Sequence, residues 1–151
     1  MKKLFFASVI FMLSVAANAQ ILNPVSWSYS SKKLNDKTYE IQLVATIKQG
    51  WHLYSQLQPA DAIAQPTSFN FNKNPLLKFD GKVKEVGKME KYKDKTLGVT
   101  ANQYSNKVVF TQQVKVKGAA KTAVTGKLEF QTCDDEKCLP PKTVNFTIAL
   151  N

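Results

Sequence analysis

The sequence contains no arginine; its 21 basic residues are all lysine, set against 11 acidic ones. The guanidinium forks that grip phosphate and read guanine edges are therefore missing. No recognition motif accompanies the charge, so the lysines read as a solvated surface and no nucleic-acid partner is expected. Histidine occurs once, at His52, and cysteine twice, at Cys133 and Cys138. Those three fall short of the four Cys or His ligands of a structural zinc site, and a Cu(I) site on two thiolates would need thiols kept reduced. His52, between Trp51 and Leu53, reads as a packed or surface aromatic and not as a ligand. Helical periodicity is nowhere convincing, and no apolar run beyond residue 20 approaches the ~20 residues that spanning a membrane requires.

The first residues read as a secretory leader. Lys2 and Lys3 precede an apolar run from Leu4 to Ala17, and the small-x-small triplet Ala17-Asn18-Ala19 follows. Cleavage after Ala19 is expected, leaving residues 20–151 as one exported domain with 19 basic against 11 acidic residues, a net charge of +8. Gln20 stands where a lipid-anchored protein carries cysteine, so no lipid anchor and no membrane span are expected after cleavage. Export places both thiols where disulfides persist, which makes a Cys133–Cys138 bond the expected resting state.

The repeated pattern has period two. Tyr39, Ile41, Leu43, Ala45 and Ile47 alternate with Glu40, Gln42, Val44, Thr46 and Lys48, as a half-buried strand requires. Trp51 to Tyr54, Phe69 and Phe71, Val108 to Val116, Leu128 to Thr132, and Val144 to Leu150 repeat the theme. Short strands punctuated by Asn-Pro, Asp-Gly and Ser-Asn breaks predict a single-domain antiparallel sandwich or barrel. The lysine-rich segment from Gly87 to Tyr104 breaks the alternation and reads as a long loop, a feature that is often functional in compact domains.

Both cysteines sit in Phe130-Gln131-Thr132-Cys133-Asp134-Asp135-Glu136-Lys137-Cys138-Leu139-Pro140-Pro141, between two strand-like segments. A hairpin mouth brings two such Cα atoms within disulfide range. As a staple the bond is weak, about 2 kcal/mol by loop entropy, so a redox pair, a structural staple and a metal site all stay open, with redox chemistry favoured. Asp134, Asp135 and Glu136 disfavour a thiolate at Cys133, and Lys137 offsets that field at Cys138, making Cys138 the better nucleophile. Pro140 and Pro141 remove two backbone donors and leave the loop exit open to a partner.

The same run, continued through Lys142-Thr143, resembles the active-site hairpin of the N-terminal periplasmic domain of the thiol:disulfide interchange protein DsbD. Lys48-Gln49-Gly50-Trp51-His52-Leu53-Tyr54 looks like that family's strand with a turn glycine and paired aromatics, and Gly87 to Phe110 falls where its cap loop lies. The resemblance implies an immunoglobulin-like β-sandwich that shuttles electrons by thiol–disulfide exchange without a cofactor. By position it implies that Cys138 forms the mixed disulfide and Cys133 resolves it. His52 and Tyr54 match the aromatics beneath the active site, Leu97 stands at the cap, Gly98 lies beside it and Tyr104 closes the segment. The partners it implies are thioredoxin-fold proteins, as electron donor and as acceptors, in the periplasm. The sequence runs one strand past the motif, so a separate membrane thiol carrier is expected to supply electrons. Four residues separate the cysteines here, where the familiar version has five. The alternative from a different class is an exported protein- or glycan-binding sandwich with a purely structural hairpin disulfide; copper or zinc delivery is a third.

Overall fold

In β2 (Thr38–Ile47) the alternation read from the sequence becomes two faces: Ile41, Leu43 and Ala45 are fully buried, Gln42 and Val44 are half-buried, and Thr46 is exposed. The computed structural model describes residues 22–95, 98–118 and 121–150. The expected leader and Leu97 lie outside the described residues. β2 sits between β1 (Val25–Asn35) and β8 (Lys107–Val116), and β5 (Leu77–Val86) completes an antiparallel sheet of order β1-β2-β8-β5.

The opposing layer is built around β9 (Thr122–Phe130), flanked by β11 (Lys142–Leu150) and β4 (Ser68–Phe71). After Gln131 the chain continues as β10 (Thr132–Cys133), which pairs with β3 (His52–Tyr54). β3 pairs in turn with β7 (Thr100–Tyr104), and β7 with β6 (Met89–Lys93). Every ladder is antiparallel and no helix occurs among the described residues. This is the immunoglobulin-like β-sandwich expected from the sequence.

The core lies between the layers. Val108, Phe110 and Val114 of β8 pack against Val124, Leu128 and Phe130 of β9 and Phe146 and Ile148 of β11. Trp27 of β1 bridges the two sides, with its ring 5.8 Å from Phe110 and 5.4 Å from Phe130. Phe71 stacks on Phe79 at 4.5 Å and meets Phe146 edge-on at 5.8 Å, geometries that aromatic quadrupoles favour.

The segment from Gly87 to Tyr104 corrects the reading of a long loop: β6 and β7 form a hairpin, and only residues 94–99 connect them. β6 lies at a sheet edge with most of its residues exposed, so its Glu-Lys-Tyr-Lys run shows no apolar alternation. β7 buries the polar Gln103 beside Ala101 and Tyr104. Lysines on an edge strand are also what deters edge-to-edge pairing.

Glu85 of β5 ties this hairpin to the first sheet. Its carboxylate accepts hydrogen bonds from Tyr104 Oη at 2.7 Å, Ser55 Oγ at 2.7 Å and the Gln56 backbone N–H at 2.7 Å. Burial of Tyr104, reinforced by the bond to Glu85, raises its phenol pKa well above the ordinary value. The neutral phenol is therefore the form the fold favours. Its stabilisation is complete below the unfolded phenol pKa of about 10 and is lost as pH rises beyond it.

Two outcomes follow. A Cβ at Gly126 of β9 would lie 2.5 Å from the Asn70 carbonyl oxygen and 2.6 Å from Cζ of Phe146, and the backbone oxygen has no room to yield. Gly126→Ala should therefore lose roughly 1–3 kcal/mol in urea unfolding. Tyr104→Phe should lose about 1–2 kcal/mol at neutral pH, through the missing bond to Glu85. Its stability should also fall less steeply than that of the parent above pH ~10, measured by unfolding at a series of alkaline pH values.

Candidate functional site

The cysteine loop is a hairpin of its own at the end of β10. The Asp134 N–H donates to the Lys137 carbonyl at 2.9 Å and the Leu139 N–H to the Thr132 carbonyl at 2.9 Å, leaving Cys133 and Cys138 as the facing pair between these bonds. Such non-hydrogen-bonded positions bring side chains closest in an antiparallel ladder. The Cα atoms are 4.0 Å apart and the sulfurs form a disulfide.

Asp134 shapes the tip. Its Oδ1 accepts the backbone N–H groups of Glu136 at 2.9 Å and Lys137 at 2.7 Å. Those two N–H bonds, helped by the Lys137 charge, hold its carboxyl below the usual carboxylate range. The aspartate that the sequence presents as a charge beside Cys133 is thus also the cap that folds the loop. At the base Gln131 spans the hairpin, its Oε1 accepting the Gln65 N–H at 2.9 Å and its Nε2 donating to the Leu139 carbonyl at 3.2 Å.

The two sulfurs differ in access. Cys133 is 4 % exposed and packs with Tyr54 and Ala101 in a small cluster apart from the main core, whereas Cys138 is exposed. Both line a shallow cleft of about 230 Å³ together with His52, Tyr54, Tyr92 and Gln103. The Tyr54 hydroxyl lies 4.0 Å from Cys138 Sγ. Burial, with Tyr92 nearby, raises the Tyr54 phenol pKa, so it meets the disulfide as a neutral hydroxyl. The Tyr54 carbonyl accepts the buried Thr67 hydroxyl at 2.5 Å, which anchors the strand beneath the ring.

His52 stands opposite Cys133 in the β3–β10 register. Its Nδ1 is 3.0 Å from Ser105 Oγ, which donates to Glu90 Oε2 at 2.9 Å, and its Nε2 is 3.7 Å from Asp135 Oδ1. Among the described residues no group of three or more His, Cys, Asp or Glu side chains is arranged to hold a metal ion.

Of the residues singled out in the sequence, the structure brings Cys133, Cys138, His52 and Tyr54 into one cleft. Tyr104 lies one strand away with its hydroxyl on Glu85, facing the core. Gly98 belongs to the β6–β7 connection, at φ +70° with its N–H on the Asp94 carbonyl at 2.9 Å. Sequence reasoning missed Tyr92, an exposed aromatic that lines the cleft from edge strand β6. An aromatic inside a lysine run was the available signal.

Comparison with known proteins places this geometry. The chain is similar in structure to the reduced N-terminal domain of Neisseria meningitidis DsbD, with 18 % identity, a TM-score of 0.53, and 87 % of this chain and 91 % of that one covered. The N-terminal periplasmic domain of ScsB from Proteus mirabilis is 16 % identical, with a TM-score of 0.52 over 83 % of this chain and 44 % of that one. A complex between the DsbD N-terminal and PilB N-terminal domains of Neisseria meningitidis supplies a third likeness at 16 % identity and a TM-score of 0.50, covering 85 % of this chain and 87 % of that one. At these identities the likeness is one of fold, and no curated protein matches the chain. The sequence model for the N-terminal region of the thiol:disulfide interchange protein DsbD, in contrast, matches residues 18–150, nearly the whole chain, and the chain belongs to that family.

Proposed function

We propose that the domain relays electrons by thiol–disulfide exchange through Cys133 and Cys138, as a protein-disulfide reductase component working between a thioredoxin-like donor and thioredoxin-fold acceptors. The observation that carries this reading is the inequality of the two sulfurs, with Cys138 open to solvent beside Lys137 and Cys133 buried behind it. An incoming thiolate reaches Cys138 and not Cys133. The new bond forms at Cys138 Sγ, the electron pair of the broken disulfide leaves on Cys133, and the donor's second thiolate then attacks its own sulfur in the mixed disulfide and frees Cys138. That leaves this domain reduced and the donor oxidised; toward an acceptor, the Cys138 thiolate attacks the acceptor disulfide and Cys133 then attacks Cys138, releasing the reduced acceptor and restoring the Cys133–Cys138 bond.

The surroundings support the assignment. Tyr54 and His52 border the sulfurs, and the β6–β7 connection bearing Leu97 and Gly98 starts at Asp94 on the cleft wall, which suits it to cap the site. Tyr104 contributes indirectly, by fixing β7 through Glu85. The solved complex of a DsbD N-terminal domain with a PilB N-terminal domain supports a protein as the exchange partner. We assign residues 1–19 as the cleaved leader and residues 20–151 as the exported domain, placed in the periplasm. No helix among the described residues is long and apolar enough to cross a membrane.

Cys133→Ala should leave Cys138 trapped in mixed disulfides with thioredoxin-fold proteins of a periplasmic extract, seen as reductant-sensitive adducts by non-reducing electrophoresis. An extract that traps a known relay but yields no adduct here would remove the proposal. The double variant Cys133→Ala, Cys138→Ala should stay folded and lose only about 2 kcal/mol in urea unfolding, the entropy of so short a loop. A collapse of the fold would instead mark the bond as structural.

A further inference from the structure

We infer that His52 carries the proton that Cys133 gains and loses during exchange, with Ser105 and Glu90 fixing which ring nitrogen does so. The inference rests on the exchange reading above. Ser105 has a single hydroxyl proton and donates it to Glu90 Oε2 at 2.9 Å, so its oxygen accepts from His52 Nδ1–H at 3.0 Å. Neutral His52 therefore holds Nδ1–H, and Nε2 is the nitrogen left to take up a proton. Asp135 Oδ1 lies 3.7 Å from Nε2, beyond hydrogen-bond range, so it does not hold that proton. The ring is 21 % exposed, whereas Asp135 is 90 % exposed.

Cys133 needs such a partner. It departs as a thiolate from a position 4 % exposed, where water solvates it poorly. The charges around it are mostly negative: Asp134, Asp135 and Glu136 on the hairpin, Asp94 after β6, and Glu90 behind Ser105. Lys137 is the one lysine among the described residues that line the cleft, and it adjoins the other sulfur. His52 is the cross-strand partner of Cys133, a relation that sets Cβ atoms about 4.5–5.5 Å apart on one face.

The step balances as follows. A partner thiolate bonds to Cys138 Sγ, the Cys138–Cys133 bond breaks with its electron pair on Cys133, and the imidazolium Nε2–H passes its proton to that sulfur. On return, Cys133 gives the proton back to Nε2, attacks Cys138 as a thiolate, and the partner leaves as a thiolate.

The test is the reduction rate of the oxidised protein by dithiothreitol across pH, corrected for the thiolate fraction of the reagent. In the parent the corrected rate should fall as pH rises through the imidazole titration. In His52→Gln it should be flat and at least ~10-fold slower at the acidic end, and Ser105→Ala, which keeps the ring and frees its tautomer, should lie between. Separately, in Cys138→Ala the ultraviolet titration of the Cys133 thiolate should move to higher pH when His52→Gln is added. Identical corrected rates and identical Cys133 titrations with and without His52, in proteins of unchanged circular dichroism, would overturn the inference. Should dithiothreitol fail to reduce the native disulfide at all, the exchange reading falls, and the Cys133 titration in the single-thiol protein still decides whether His52 is coupled to that sulfur.

Discussion

A ladder of two residues, Thr132 with Leu53 and Cys133 with His52, holds the chemistry of this protein to its scaffold. Through it β9, whose Leu128 and Phe130 are sealed in the core, runs on past Gln131 and delivers the cysteine hairpin to β3. That hand-over sets the hairpin against the other strands of the cleft. His52 and Tyr54 lie on the receiving strand, Gln103 on the strand beyond it, and Tyr92 on the edge. Rigid packing on one side and an exposed hairpin on the other is how a β-sandwich presents reactive groups without exposing its core.

The core strands were legible because their environment is two-sided: β2, β8, β9 and β11 each bury one face and wet the other, and period-two alternation is the direct record of that asymmetry. β5 and β6 were not, for a physical reason. β5 is interrupted at Gly81, where φ is +72° and the register with β8 slips between Asp80 and Lys84, and β6 is wet on both faces. A strand without an inside leaves no hydrophobic signature. β1 alternates Trp27 and Tyr29 with serines, a pattern present in the letters but diluted by small polar residues.

The site divides along similar lines. Cys133 and Cys138 were singled out by residue type and spacing, and His52 and Tyr54 by their likeness to a family motif; the four line one cleft. Tyr92, Gln103 and Ser105 were not singled out, because nothing in one dimension brings these positions to a hairpin that follows them by tens of residues. The role of Asp134 was legible only as charge. Its two bonds to backbone N–H groups make it a folding element as much as an electrostatic one, and spacing alone does not separate the two.

Gln131 has a bearing on how the site meets a change of oxidation state. One amide holds both the β3–β4 connection, through Gln65, and the outgoing arm of the hairpin, through Leu139, while the backbone bonds Asp134–Lys137 and Leu139–Thr132 bracket the sulfurs. None of these links involves sulfur. The hairpin is thus cross-braced independently of the bond it carries, and opening that bond removes none of these links. In the relay proposed above, a hairpin braced in this way presents nearly the same surface to donor and acceptor alike.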